Sequence, residues 1–341
     1  LRAYAYFNLV RLYGAVPLVT KVVTSDEKEL LFTRVDVAKV YEQIVADLQE
    51  GVTYLDNTHK SRASKAAAQG ILAKVYLSQP TPNYTGARQL CEDIINGAGL
   101  SLQANFRDVF YNELNSEIIF AIQYASGNPD ESQGFSSEFT SYSRQGRQDG
   151  LNIVNPNLAV DFIAHGGNRT DVSYAAFGDD ASLPIPEDAE VIKFLPDGSD
   201  ISDRNLPTYG EQPGNAGNDW IILRYADVLL MHAEAIMQGN DTSDSNAIDS
   251  YMKVKVRAGF DAVADRPAVL TKNALLVERR VELAFENHRF FDLLRFGVAH
   301  DVLGTHANLK GYTSYNIRRL LLPIPAREIN LSDGLLTQNP K

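Results

Sequence analysis

Residue types able to do chemistry are plentiful in this sequence, but their spacing matches no known catalytic arrangement. Six histidines stand at 59, 165, 232, 288, 300 and 306, and no two form the H-E-x-x-H pair that puts two zinc ligands on one helical face. His300 and His306 lie six residues apart, off the i,i+4 step of a helix. There is no G-x-S-x-G elbow, no G-x-x-x-x-G-K-[ST] phosphate loop and no G-x-G-x-x-G fingerprint after a strand. Cys91, the single cysteine, sits in LCEDII, where a small thiol inside a helix packs as core. One cysteine also excludes a disulfide within the chain and a cysteine-rich zinc site.

Carboxylates need more care. Glu278, Glu282 and Glu286 follow one another at i,i+4 steps, interleaved with Arg279, Arg280 and Arg289. Such a row could serve acid/base or metal chemistry. It could equally be a charged helix face that meets other helices through ion pairs, the commoner arrangement. DGSDISD, with Asp197, Asp200 and Asp203, has the composition of a calcium loop but lacks the regular oxygen spacing and closing glutamate, and reads as a solvated turn. No catalytic residue, metal or cofactor is expected.

Binding remains. A sugar ring offers apolar C–H faces to aromatic planes and hydroxyls to Asn, Asp and Arg, so a glycan site needs aromatics beside polar side chains in a shallow cleft. GFSSEFTSYSRQGRQDGLNIVN has that mixture, and Tyr174, Phe177 and Tyr209 follow it. The candidate contacts are Phe139, Tyr142, Arg144, Arg147, Asn152 and Tyr174. Tyrosine supplies a flat face with a wet hydroxyl, arginine a planar fork, and asparagine both donor and acceptor. The competing role for Phe139 and Tyr174 is to anchor long loops on the helical body. Trp220, the only tryptophan, opens an apolar run read as a helix, so a core or helix-entry role is expected for it.

The elements that must position these residues fall into three parts. Residues 1–122 form a helical-repeat scaffold, with helices expected at 36–55, 65–79 and 86–97. Val37, Val40, Ile44, Leu48, Val52 and Leu55 make one apolar stripe, with Asp36 as its N-cap. Ala66, Ala67, Ala68 and Ala73 would admit a neighbouring helix closely. Residues 123–219 hold 11 of 23 Gly and 7 of 14 Pro, and carry no persistent helical stripe, only short strand-like runs such as EVIKFL. Long irregular excursions of this kind tend to carry function, which makes this the ligand-facing segment. Residues 220–341 return to helix at 221–238, across SDSNAIDSYMKVKVRAGF and at 271–296, then end in an extended, proline-punctuated tail laid along the helices.

The 341 residues carry 32 Lys+Arg against 43 Asp+Glu, a net charge of −11. That balance argues against nucleic acid or an anionic membrane surface as a partner, since there is no basic excess to release counterions. No apolar run approaches the roughly 18–20 residues of a membrane span. Leu1 already reads as the inside of a helix, so an N-terminal portion, with any export signal, is expected to lie outside this chain.

Seven segments, taken in order, resemble the SusD/RagB family of Bacteroidetes outer-membrane nutrient-binding lipoproteins. They are LRAYAYFNLVRLYGAVPLV, RVDVAKVYEQIVADL, SKAAAQGILAKVYL, NSEIIFAIQY, DWIILRYADVLLMHAEA, VERRVELAFENHRFFDLLRFG and LLLPIPAREINL with LLTQNP. The likeness fades over 123–219. It implies a mostly α-helical fold of tetratricopeptide-like helix pairs with a loop-rich ligand face, and no enzyme activity. It further implies a lipid-anchored protein on the cell surface that binds oligo- or polysaccharide and partners a SusC-like TonB-dependent outer-membrane transporter. The lipid anchor itself is outside this chain. Peptide capture in the same role, or a scaffold subunit with weak ligand contact, stays open. Under the resemblance, Glu278, Arg279, Arg280, Glu282, His288, Arg289 and Asp292 become members of a packing and ion-pair network.

Overall fold

The computed structural model describes residues 1–24, 26–139, 154–177, 188–195, 215–309, 311 and 320–340. Helix dominates. The longer helices are α1 (Arg2–Tyr13), α2 (Val37–Tyr54), α3 (Lys65–Ser78), α4 (Tyr84–Gly97), α5 (Pro156–His165), α6 (Tyr225–Met237), α7 (Ser245–Arg257), α8 (Lys272–Glu282), α9 (Arg289–Arg295), α10 (Ala299–Leu309) and α11 (Ala326–Leu331). Four short strands, β1 (Ile118–Ile122), β2 (Tyr174–Phe177), β3 (Asp188–Val191) and β4 (Trp220–Arg224), form two antiparallel pairs, β1 with β4 and β2 with β3.

Local chemistry explains the helix boundaries. Ser64 Oγ accepts from Ala67 N–H at 3.1 Å, Asn83 Oδ1 from Gly86 N–H at 2.9 Å, and Asp244 Oδ1 from Asn246 N–H at 2.8 Å. Each satisfies one of the orphan donors of a first turn. Asp36 precedes α2 as expected, but its side chain makes no capping bond. Gly239 (φ 76°) follows left-handed Gln238 at the end of α6, a conformation that glycine adopts without a Cβ clash.

Helices pack on their neighbours in chain order: α1 on α2, α2 on α3, α3 on α4, then α4 on α6, α6 on α7 and α6 on α8. Only five residues join α3 to α4, too few to run back along the roughly 21 Å of a 14-residue helix and also cross to a neighbour, so the two run antiparallel. The expected alanines sit in this contact: Ala66, Ala67, Ala68 and Ala73 are all buried. Cys91 is buried in the same core.

Four expectations are corrected. The helix expected over 221–238 begins only at Tyr225, because Trp220–Arg224 extend and pair with Ile118–Ile122, which suits the β-branched Ile221 and Ile222. Trp220 therefore enters a strand, although its core role holds: its ring lies 5.1 Å from Phe135 and 5.7 Å from Phe194. The helix expected over 271–296 breaks between α8 and α9 at two left-handed residues, Phe285 (φ 68°) and Asn287 (φ 61°). The middle segment, read as carrying no persistent helical stripe, contains α5, started by Pro156 at its first turn and capped by Asn155 Oδ1 on Asn157 N–H. The tail includes the helix α11, although its flanks lie along α1 as expected: Leu322 N–H donates to Leu12 C=O at 2.7 Å and Asn339 Nδ2 to Tyr13 C=O at 3.1 Å.

Gly70 is a closely packed point of α3. A Cβ there would collide with the Cδ2 of buried Leu223. Gly70→Ala gains up to about 1 kcal/mol of helix propensity, yet it must displace Leu223, and overpacking of this kind costs about 1–3 kcal/mol. The expected result is a lower thermal midpoint with unchanged helical content by circular dichroism.

Candidate functional site

The carboxylate row of α8 is the first place to look for a site, and it is occupied by the protein itself. Glu282, fully buried, receives three guanidinium groups: Arg169 at 2.7 Å, Arg224 at 2.6 Å, and Arg257. Arg169 also reaches Glu278 at 2.6 Å, and both Arg224 and Arg257 reach Glu117, at 2.9 and 3.0 Å. Glu286 lies past the end of α8, where Arg224 (2.7 Å) and Lys193 (2.7 Å) bind it. Four cations thus face four carboxylates.

The same cations end the helix. Lys193 Nζ donates to the carbonyls of Ala284 (2.9 Å) and Glu282 (3.3 Å), and Arg224 Nη2 to that of Glu282 (2.7 Å). Positive charge at a helix C-terminus satisfies orphan carbonyls and complements the dipole. This is the physical reason α8 stops where the sequence pattern would have carried it on.

Burial and pairing compete in setting the ionisation of these groups. Burial works against the charged form of Glu282, but Arg257, Arg224 and Arg169 hold its carboxyl well below the ordinary range. Glu286 is likewise brought down to about 2 against burial, by Arg224 and Lys193. Burial pushes Lys193 down to about 8, even with Glu286 beside it. A general acid near neutrality needs a raised carboxyl, and these are lowered.

A second buried cluster adjoins the first. Arg279 binds Asp227 (2.9 Å) and Asp292 (3.0 Å), Lys74 binds Asp227 (2.6 Å), and Arg295 binds Glu234 (2.5 Å) and Asp292 (2.8 Å). Arg280, nearer the surface, binds Asp161 and Asn157 of α5. The network reading of Glu278, Arg279, Arg280, Glu282 and Asp292 therefore holds. Two residues assigned to it stand beside it instead. His288 is driven down to about 3 by burial and by Lys74, so it is neutral. Arg289 donates to Leu276 C=O at 3.3 Å and has no ion-pair partner among the described residues.

Sequence reading missed Glu117, Arg169, Lys193, Arg224, Arg257 and Asp227. Most carried a signal: single charges inside apolar runs, as in SEIIFAI, EVIKFL and WIILRYADVLLM. A lone charge in such a run is tolerable only with a buried partner.

Of the candidate glycan contacts, Tyr142, Arg144, Arg147 and Asn152 lie outside the described residues, as does DGSDISD. Phe139 and Tyr174 are described, and both are half-buried against other rings. Phe139 lies 5.2 Å from Phe194 and 6.4 Å from Phe285, and Tyr174 lies 5.4 Å from Phe162. They anchor the middle segment on its own aromatic core.

One sizeable cleft opens elsewhere, about 700 Å³ in volume, between α1 and the 283–291 connection. Tyr4, Asn8, Arg11, Trp220, Asn287 and Arg289 are among its lining residues. The Arg11 guanidinium is stacked between the rings of Phe7 (3.9 Å) and Phe291 (3.7 Å).

Comparison with known proteins gives this architecture its context. The SusD family profile matches residues 201–341, and a second profile, described as starch-binding and associating with the outer membrane, matches residues 1–77. SusD-like protein P2 of Formosa agariphila is 27% identical over 99% of this chain and 72% of its own length. The chain belongs to the SusD/RagB family. Among solved structures, a laminarin-binding SusD-like protein is similar with a TM-score of 0.77 at 26% identity, over 99% of this chain and 76% of that one. Surface glycan-binding protein A from Bacteroides thetaiotaomicron, in complex with laminarihexaose, shares the fold with a TM-score of 0.77 at 21% identity, over 99% of this chain and 76% of that one. Glycan-binding proteins of the SusD family are non-catalytic.

Two outcomes test the network. Glu282→Gln should destabilise the protein by about 3–5 kcal/mol, since three arginines lose the anion they share, and equilibrium unfolding in urea at pH 7 measures it. The lowered carboxyls also set an acid dependence. Groups with folded-state pKa below the unfolded value stabilise above that value and lose the contribution as pH falls. Glu286 therefore contributes above pH 4.5 and loses that contribution as pH falls toward 2. Unfolding free energies measured across this window should fall steeply in the wild type and less steeply in Glu286→Gln.

Proposed function

We propose that this SusD-family chain is a lipid-anchored, cell-surface glycan-binding protein of the outer membrane that presents oligo- or polysaccharide to a SusC-like TonB-dependent transporter. The observation that carries this reading is the near-full-length likeness to the laminarin-binding SusD-like protein. The family profile described as starch-binding and outer-membrane-associating supports it. In this reading 1–122 and 220–341 make the scaffold and 123–219 is the ligand-facing segment.

Glu278, Arg279, Arg280 and Glu282 of α8 are committed to partners from other elements, and the helix faces of the scaffold are buried in mutual contact. Recognition then falls to the irregular segment that the scaffold positions. Tyr142, Arg144, Arg147 and Asn152 are the proposed contacts, and Phe139 and Tyr174 support them from the aromatic core. Tyrosine rings would stack on sugar faces, while the arginine forks would bridge vicinal hydroxyls or a uronic carboxylate.

A second location is favoured by one observation: Trp220, Asn8, Asn287 and Arg289 line the same cleft of about 700 Å³, an aromatic plane among amides and a guanidinium that has no ion-pair partner among the described residues. Arg289→Ala separates the two locations. If the middle segment holds the ligand, this variant binds as the wild type does.

Isothermal titration with laminarihexaose and with soluble starch tests the function. Tyr142→Ala or Arg147→Ala should weaken binding by about 1–2 kcal/mol, roughly five- to thirtyfold, with the thermal midpoint nearly unchanged. Loss of stability with affinity retained would make these packing residues. Chromatography of the incubated laminarihexaose should show no shortened products. Binding of unfolded casein peptides in place of either glycan would favour peptide capture.

A further inference from the structure

The buried arginines at 169, 224, 257 and 279 each meet at least one carboxylate. Arg11 and Arg289, both half-buried, meet none among the described residues. Arg11 donates to Phe7 C=O at 3.2 Å and to Asn8 Oδ1 at 2.5 Å, with its plane held between the rings of Phe7 and Phe291. Arg289 donates only to Leu276 C=O, at 3.3 Å. A guanidinium carries five N–H donors, so most donors of both residues lack a protein acceptor among the described residues. Burial, the main cause in each case, brings both groups down to about 10. Charge taken from water without an anion to match it is costly, and such sites cluster where a ligand supplies the match.

Both arginines line the same cleft of about 700 Å³, a volume within the range of small-molecule sites. The other ionisable groups of the cleft do not supply the missing anion. Glu286 is taken by Arg224 and Lys193, and Lys74 is itself a cation, held by Asp227. His288 is neutral, driven down to about 3 by burial and by Lys74. The remaining character of the lining is aromatic and amide: Tyr4, Trp220, Asn8 and Asn287.

We infer that this cleft binds an acidic saccharide, with the carboxylate or sulfate ester of the sugar on the guanidiniums of Arg11 and Arg289. A planar fork presents paired donors to either oxyanion, and the aromatic lining suits the apolar face of a sugar ring. A neutral glucan would leave both charges unmatched. The inference rests on the proposed glycan-binding function. It gives the second location a ligand class of its own and leaves the neutral glucan with the middle segment.

Titration of the full chain with an oligogalacturonide, which carries carboxylates, and with a sulfated galactan oligosaccharide tests this. Calorimetry gives the affinity. The fluorescence of Trp220, the only tryptophan and part of the cleft lining, reports where binding occurs. At least one acidic probe should bind, shift the emission and weaken as salt is added. The probe that binds more tightly identifies the oxyanion. Two variants place the ligand. Arg289→Ala removes one guanidinium at the cost of the bond to Leu276. Asn287 is exposed at a left-handed φ of 61°, which aspartate tolerates, so Asn287→Asp puts a competing carboxylate in the cleft without removing packing. Each should bind the acidic probe about tenfold more weakly with a thermal midpoint close to that of the wild type. Wild-type binding of laminarihexaose but of neither acidic probe would overturn this inference alone, as would acidic binding that both variants leave intact. A wild type that binds no saccharide, neutral or acidic, would overturn the functional reading as well.

Discussion

Glu282 is the carboxylate on which this fold turns. Three arginines from three places in the chain, at 169, 224 and 257, meet it in a fully buried space. An arginine in such a space is tolerable only when its charge is matched and its donors are occupied. Arg224 meets the demand with five hydrogen bonds to Glu117, Glu282 and Glu286. Strand β4, helix α7, the turn after α5 and helix α8 must therefore all arrive together. Replacing such a network by apolar residues of equal volume can be neutral or stabilising in other proteins, so its value lies in specifying one arrangement.

That constraint divides the labour of the molecule. Glu282 and Glu286, which look like chemistry in the sequence, are lowered, buried and shared, which leaves them unsuited to proton transfer. The non-catalytic character of glycan binding in the SusD family fits this disposition. The same network also holds the middle segment, since Arg169 and Lys193 both belong to that segment and both bind α8 carboxylates or carbonyls. A part of the chain with few helices is thereby held by a part rich in them.

Much of this was legible in the sequence where periodicity is one-sided. The α2 stripe is a local signal, and the helices expected at 36–55, 65–79 and 86–97 match α2, α3 and α4 within a few residues. Legibility failed where the deciding partner is distant. Nothing local stops a helix from starting at Ile221, and only pairing with Ile118–Ile122 extends it. Nor does the sequence around Glu282 end α8, which stops because Arg224 and Lys193, from far upstream, take its last carbonyls. Family likeness supplied the network's members on α8 but not their partners, whose one trace was a single charge inside an apolar run. Phe139 and Tyr174 could be read as contacts or anchors with equal right, and only their ring neighbours show the anchoring.

The most direct measurement is a crystal structure of the chain soaked with laminarihexaose or a starch oligosaccharide. Sugar is expected against residues 123–219, with Arg169, Arg224 and Arg257 still on Glu282 and no bond in the sugar broken. Sugar bound to the α8 carboxylates, or lodged between Tyr4 and Trp220 with the middle segment untouched, would contradict it.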